Sequence, residues 1–383
     1  MDLDSLAFPI AFVLLGAIAI WLAVKRLLSP TLRSRSLIRR LLERIALAAV
    51  LLVATAIAAG SAWNAIALRI FWARHPRPGE SYIVGGHAMH INCTGSGSPT
   101  IVLESGLGND GDSLIWGQLQ PEIAKTTRVC SYDRAGFGWS EPGPAPRDAD
   151  RIAAELHELL QKAGVAGPIV LMGHSMAGIY MRDYASRYRS EIAGIEFLDP
   201  SIPLQDENPA YRALLAKERP LWMQRILARA LYGSGLPRLV GQCGASPFRH
   251  DPKDMQMIQE DDCSSHIDSV LAEWQNFNRS GHETAQTGPY GDLPILIVSE
   301  DFEFTAASRN SPRELKPALE AVNAMQEGLK NLSTRSRRII AKNSGHYVQF
   351  ARMDLVLKET QSFIGQIRGT LPEPTQYGTT VAE

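Results

Sequence analysis

The chain has no excess of charge of either sign, no metal-ligand spacing such as C-x-x-C, no internal repeat and no low-complexity tract. Its 39 basic side chains stand against 40 acidic ones, which leaves no global field for holding a polyanion. Nucleic acid is therefore excluded as the expected partner, and nothing in the sequence points to a metal. Cysteine is scarce, four in 383 residues. Cys93 and Cys130 fall in expected core strands, where the thiol serves as a small apolar group and needs no bond. Cys243 and Cys263 lie in a loop-rich stretch and can pair if that stretch is outside the reducing cytoplasm.

Charge is also missing locally. Leu6 to Val24 carries none over nineteen residues and Ile45 to Leu68 none over twenty-four, each enough to cross about 30 Å of hydrocarbon as a helix. Residues 1–74 thus read as a two-span membrane hairpin. Between the spans lie Lys25, Arg26, Arg33, Arg35, Arg39, Arg40 and Arg44 against Glu43 alone. Basic short loops stay cytoplasmic, so the rest of the chain is expected outside, in an extracytoplasmic or periplasmic space. Asp2 and Asp4 agree with this orientation, while Arg69, Arg74 and Arg77 weaken the asymmetry. The basic residues follow the first apolar run rather than precede it, which disfavours a cleaved signal peptide. Thr55, Ser61 and Asn64 leave a second reading for the later run, a buried or interfacial helix with the remaining chain in the cytoplasm. Neither run holds an ionisable residue, so a transporter is excluded.

His75-Pro76-Arg77-Pro78-Gly79 is a stiff connector. Beyond Ser81, strand-like runs alternate with helix-like ones: 87–93, 100–104, 128–132, 169–172, 192–198, 295–299 and 337–341. That alternation predicts an α/β fold with a mostly parallel central sheet flanked by helices, spanning 81–200 and 292–369. Ile152, Leu156, Leu159 and Leu160 have the spacing of a one-faced helix over 149–163. Residues 201–291 show helical apolar residues without a strand and read as a helical lid insertion. The tail 370–383, with Pro372 and Pro374, is expected to be disordered.

The run Ile169-Val170-Leu171-Met172-Gly173-His174-Ser175-Met176-Ala177-Gly178 is an apolar strand, a small-residue turn and the start of a helix. A sharp turn of this kind lifts a serine clear of a sheet and sets it at a helix N-terminus, where developing negative charge is favoured. The usual pattern is G-x-S-x-G, and here Ala177 takes the fifth place with Gly178 one residue later.

Together with Asp133-Arg134-Ala135-Gly136-Phe137-Gly138-Trp139-Ser140 and Gly345-His346-Tyr347, this segment resembles the α/β-hydrolase superfamily from about Ser81 to Gly369. The resemblance implies Ser175 as nucleophile, His346 as general base, no cofactor, and Asp133 and Arg134 in structural roles. Relatives often place a His-Gly pair after the early core strand, whereas Glu104-Ser105-Gly106-Leu107-Gly108 stands here. The chemistry needs only backbone N–H groups, so Leu107 and Met176 are the expected oxyanion hole. His174 is expected to pack rather than titrate.

Two carboxylates end strands at suitable places. Asp301 follows Ile297-Val298-Ser299-Glu300 and is the preferred triad acid, and Asp199, after Phe197-Leu198, is the alternative. Glu300 and Glu303 lie close enough to substitute. The implied activity is hydrolysis of a carboxylic ester, with an acyl or lipid-like substrate suggested by the lid and hairpin. Thioester, amide or carbon-carbon cleavage is the alternative chemistry, and a noncatalytic binding module on the same fold is the alternative of another class.

Overall fold

Nine strands form one mixed sheet in a computed structural model that describes residues 3–27, 36–108, 113–215, 221–243, 253–263, 266–308 and 312–383. They are β1 (Glu80–Val84), β2 (His87–Thr94), β3 (Thr100–Glu104), β4 (Val129–Tyr132), β5 (Ile169–His174), β6 (Ile192–Leu198), β7 (Ile295–Ser299), β8 (Ser336–Ile340) and β9 (Thr380–Ala382). Their order across the sheet is β1-β2-β4-β3-β5-β6-β7-β8-β9. The β1–β2 and β2–β4 pairs are antiparallel and every other pair is parallel.

The parallel strands read as unbroken apolar runs because helices cover both of their faces. Along β5, Ile169 and Leu171 join one buried cluster while Val170 and Met172 join the opposite one. Ile295 and Ile297 divide from Leu296 and Val298 in the same way along β7. The expected helix appears as Ala149–Lys162, capped by the Asp148 carboxylate, which accepts from the Arg151 N–H at 3.0 Å. Its Ile152, Leu156, Leu159 and Leu160 are buried.

Two expectations change. The tail carries β9, whose register with β8 pairs Arg338 with Thr380 and Ile340 with Ala382. It thereby shields an edge that would otherwise expose unpaired backbone groups. Cys93 and Cys130 are disulfide-bonded, because they sit directly opposite in the β2–β4 ladder with Cα atoms 4.0 Å apart. Strand membership was legible for both, but their register was not. Cys243 and Cys263 also form a disulfide.

The chain divides into two units. Residues up to Arg77 group with Trp222–Ile267, and Pro78–Leu221 groups with Asp268–Glu383, so the expected lid 201–291 is shared between the two. Its described residues form helices and no strand. The first unit contains the helices Leu3–Leu27 and Leu37–Arg74. Gly16 fits against the Ala54 carbonyl and Ala58, where a Cβ would come within 3.2 and 3.0 Å. Among the described residues, Leu37–Arg74 alone is long and apolar enough to cross a membrane. Asp2, Arg33 and Arg35 lie outside the described residues.

Candidate active site

The loops leaving the carboxyl ends of β3, β5, β6, β7 and β8 carry the candidate residues, the edge where open α/β sheets present their sites. Ser175 follows β5 directly and holds φ at 57°, a left-handed conformation that is costly for a residue with a Cβ. Backbone bonds hold it there. The Ser175 N–H donates to the Leu198 carbonyl at 3.1 Å, and the Ser175 carbonyl accepts from Gly178 at 2.9 Å and Ser201 at 2.7 Å. Close packing explains the glycine positions. A Cβ on Gly173 would lie 3.0 Å from the Glu104 carbonyl oxygen, and one on Gly178 would lie 2.5 Å from the Ser201 carbonyl oxygen. Gly178 is therefore the glycine this turn requires, and the buried Ala177 methyl is accommodated one place earlier.

His346 stands in the loop after β8. Its Nε2 is 3.0 Å from Ser175 Oγ, and its Nδ1 is 2.6 Å from Asp199 Oδ2. A carboxylate facing Nδ1 fixes the proton on that nitrogen, which leaves Nε2 to accept from the serine hydroxyl. Burial by itself would raise the Asp199 carboxyl. The hydrogen bond and charge of His346, with donors from the Glu300 N–H and the Gln326 amide at 3.0 Å each, hold it below the usual carboxylate range. Asp199 therefore stays ionised beside the imidazole.

Asp301, the carboxylate the sequence favoured, is not in this chain of hydrogen bonds. It accepts from the Phe304 N–H at 3.3 Å, at the start of the helix Phe302–Ser308, and from the Asn343 N–H at 3.2 Å. Its own N–H donates to the Ser344 carbonyl at 3.1 Å. Asp301 thus caps one helix and ties down the loop that carries His346. Glu300 serves Asp199 through its backbone and accepts from the Thr305 hydroxyl, so it does not substitute either.

His174 packs against His346. It is fully buried, its Nε2 donates to the His346 carbonyl at 2.9 Å, and its ring centre is 4.5 Å from that of His346. Burial, followed by the charge of His346, drops its pKa to about 3, so it packs as a neutral ring.

Met176 opens the helix Ala177–Arg187, and N–H groups at such a start have no partner within the helix. Leu107 follows β3, which pairs with β5 so that Glu104 is opposite Gly173. Arg134 anchors this loop from below: its guanidinium donates to the Ser105 and Gly106 carbonyls at 2.6 Å each. The same guanidinium bonds Glu104 at 2.7 Å and Glu273 at 2.8 and 2.9 Å. All three charged residues are buried. Glu104 and Glu273 escaped the sequence reading. Glu104 ends an apolar strand, which is a weak signal, and nothing local marks Glu273. Leu107 and Met176 belong to one apolar cluster with Ile179, Trp274 and Phe277.

Such a hydrogen-bonded carboxylate, imidazole and hydroxyl can activate the hydroxyl oxygen as a nucleophile. A sequence model of the α/β hydrolase fold matches residues 99–352, and the chain belongs to that family. An uncharacterized protein of Schizosaccharomyces pombe is 27% identical over 58% of this chain, which spans 46% of that protein's length. In fold, the chain is similar to a thermophilic esterase from Thermogutta terrifontis, with TM-score 0.52 and 21% identity over 75% of this chain and 99% of that one. It is similar to the enol-lactonase from Burkholderia xenovorans to the same degree, with TM-score 0.52 and 20% identity over 74% of this chain and 99% of that one.

Proposed function

We propose that the protein is a membrane-anchored serine hydrolase that cleaves a carboxylic ester through Ser175, His346 and Asp199. The observation that carries this reading is the pair of contacts from one imidazole, 3.0 Å to Ser175 Oγ and 2.6 Å to Asp199 Oδ2. Ser175 Oγ attacks the ester carbonyl while His346 Nε2 takes the hydroxyl proton. The N–H groups of Met176 and Leu107 receive the oxyanion, and His346 returns the proton to the departing alkoxide. Water, deprotonated by the same imidazole, then releases the acid from the acyl-enzyme.

The apolar cluster in which Leu107 and Met176 sit, with Trp274 and Phe277, supports an ester with an acyl chain. The helix Leu37–Arg74 supports anchoring, with the first apolar run as the returning span of a hairpin. Two disulfides and the basic connecting loop both favour a catalytic unit outside the cytoplasm.

The test is hydrolysis of p-nitrophenyl esters from acetate to palmitate by the full chain in detergent micelles. Turnover that drops by at least about a thousandfold in Ser175→Ala supports the reading. Equal rates in both proteins overturn it.

A further inference from the structure

The second apolar run carries polar residues that a bare membrane span does not need, and the first unit shows what they meet. Ser61 Oγ donates to the Gly233 carbonyl at 2.5 Å, and Asn64 Nδ2 donates to the Tyr232 carbonyl at 3.3 Å. Asn64 Oδ1 accepts from Arg238 Nε at 2.9 Å. At Gly60 the two backbones touch: a Cβ there would lie 2.2 Å from the Ser234 carbonyl oxygen, and one on Gly235 would lie 2.3 Å from the Gly60 carbonyl oxygen. Gly60, Ser61 and Asn64 share one helix face by their three-to-four spacing, and that face is docked on the turn between the helices Leu221–Gly233 and Leu236–Leu239. Arg238 is fully buried in this contact and pairs with the equally buried Glu260.

The contact fixes the level of these short helices along the span. Gly60 to Asn64 precede Leu68 by four to eight residues, about 6 to 12 Å of a helix rising 1.5 Å per residue. One leaflet's hydrocarbon is about 15 Å deep, so the docked turn lies at acyl-chain depth rather than in water. Its outward side chains suit that level: Ile226, Leu227, Leu231, Leu236, Leu239 and Val240 are all exposed. Soluble surfaces seldom gather six large exposed apolar residues on two consecutive helices and the residue that ends them. Arg238 is neutralised by Glu260 and shielded, and the helix Leu221–Gly233 also holds Arg225 and Arg229, a residue type whose long apolar stem can carry its charge to the headgroup level.

We propose that the helices Leu221–Gly233 and Leu236–Leu239 are embedded in the leaflet that faces the catalytic unit, with Leu239 and Val240 among the acyl chains. This proposal rests on Leu37–Arg74 being a membrane span. The inserted segment leaves the catalytic unit after Leu221 and rejoins it at Asp268, five residues before the buried Glu273.

All four cysteines are in disulfides, so single reporter thiols can be introduced. The full chain carrying Leu239→Cys, Leu52→Cys or Ile83→Cys is labelled with the fluorophore NBD and reconstituted in phosphatidylcholine vesicles. Part of the lipid bears a nitroxide on its acyl chain, and ester turnover confirms that each variant is folded. The proposal expects strong nitroxide quenching at positions 52 and 239 and little at 83, with at least fivefold weaker iodide quenching at 239 than at 83. Lipid quenching at 52 together with iodide quenching at 239 overturns the proposal while preserving the span. Absence of lipid quenching at both 52 and 239 removes the span and the proposal together.

Discussion

Asp199 and Asp301 end neighbouring strands, and their different partners separate their roles. Asp199 closes β6, the strand beside β5, and the Ser175 N–H is bonded to the Leu198 carbonyl immediately before it. Ser175 and Asp199 are thus fixed on one backbone frame, and the φ of 40° at Asp199 turns its side chain out of the strand direction. Asp301 is one strand further out and spends its oxygens on backbone N–H groups. Asp199→Asn is expected to lower kcat by about 10³ to 10⁴-fold, because the imidazole tautomer and the developing imidazolium both lose their support. Asp301→Ala is expected to keep kcat within about tenfold while losing about 1 to 2 kcal/mol of stability with its cap. Steady-state kinetics and urea unfolding of the two variants check this pair of outcomes. Ser175 and His346 were legible because each sits in a local pattern of small residues after an apolar strand. Which carboxylate meets His346 was not, since a strand-end carboxylate looks the same in sequence whether it faces an imidazole or a helix start.

Most strands were legible as elements, because residues buried on both faces produce continuous apolar runs. Glu80–Val84 and Thr380–Ala382 were missed: both are edge strands, half-exposed, without such a run. Long-range polar contacts were hidden for another reason. Arg134 gathers Glu104 and Glu273, a carboxylate 139 residues away, under the loop that presents Leu107. Burial pushes the Glu104 carboxyl up, and the Arg134 charge opposes that shift. Arg134→Met leaves two buried carboxylates without their cation and is expected to cost about 3 to 5 kcal/mol in urea unfolding. Adding Glu104→Gln and Glu273→Gln to the same protein is expected to recover part of that loss. An unchanged unfolding free energy in Arg134→Met would show that the guanidinium does not anchor the loop.

For the molecule as a whole, the sequence separated an apolar N-terminal region from an α/β hydrolase fold, and the family model matches residues 99–352. The grouping of Trp222–Ile267 with the N-terminal helices was not legible, because it depends on Gly60, Ser61 and Asn64 meeting a turn some 170 residues later. In sequence Ser61 and Asn64 only weakened the membrane reading. In the structure they are the places where the apolar helix holds another part of its own chain. The proposed activity requires the catalytic unit to display one activated serine, and a fluorophosphonate tests that requirement most directly. The full chain is treated with the reagent in micelles beside Ser175→Ala, His346→Ala and Asp199→Asn, and the labelled peptide is mapped by mass. The account predicts a single adduct on Ser175 in the parent protein, none in Ser175→Ala or His346→Ala, and markedly slower labelling in Asp199→Asn. An unlabelled, folded parent protein, or an adduct on another residue, would contradict it.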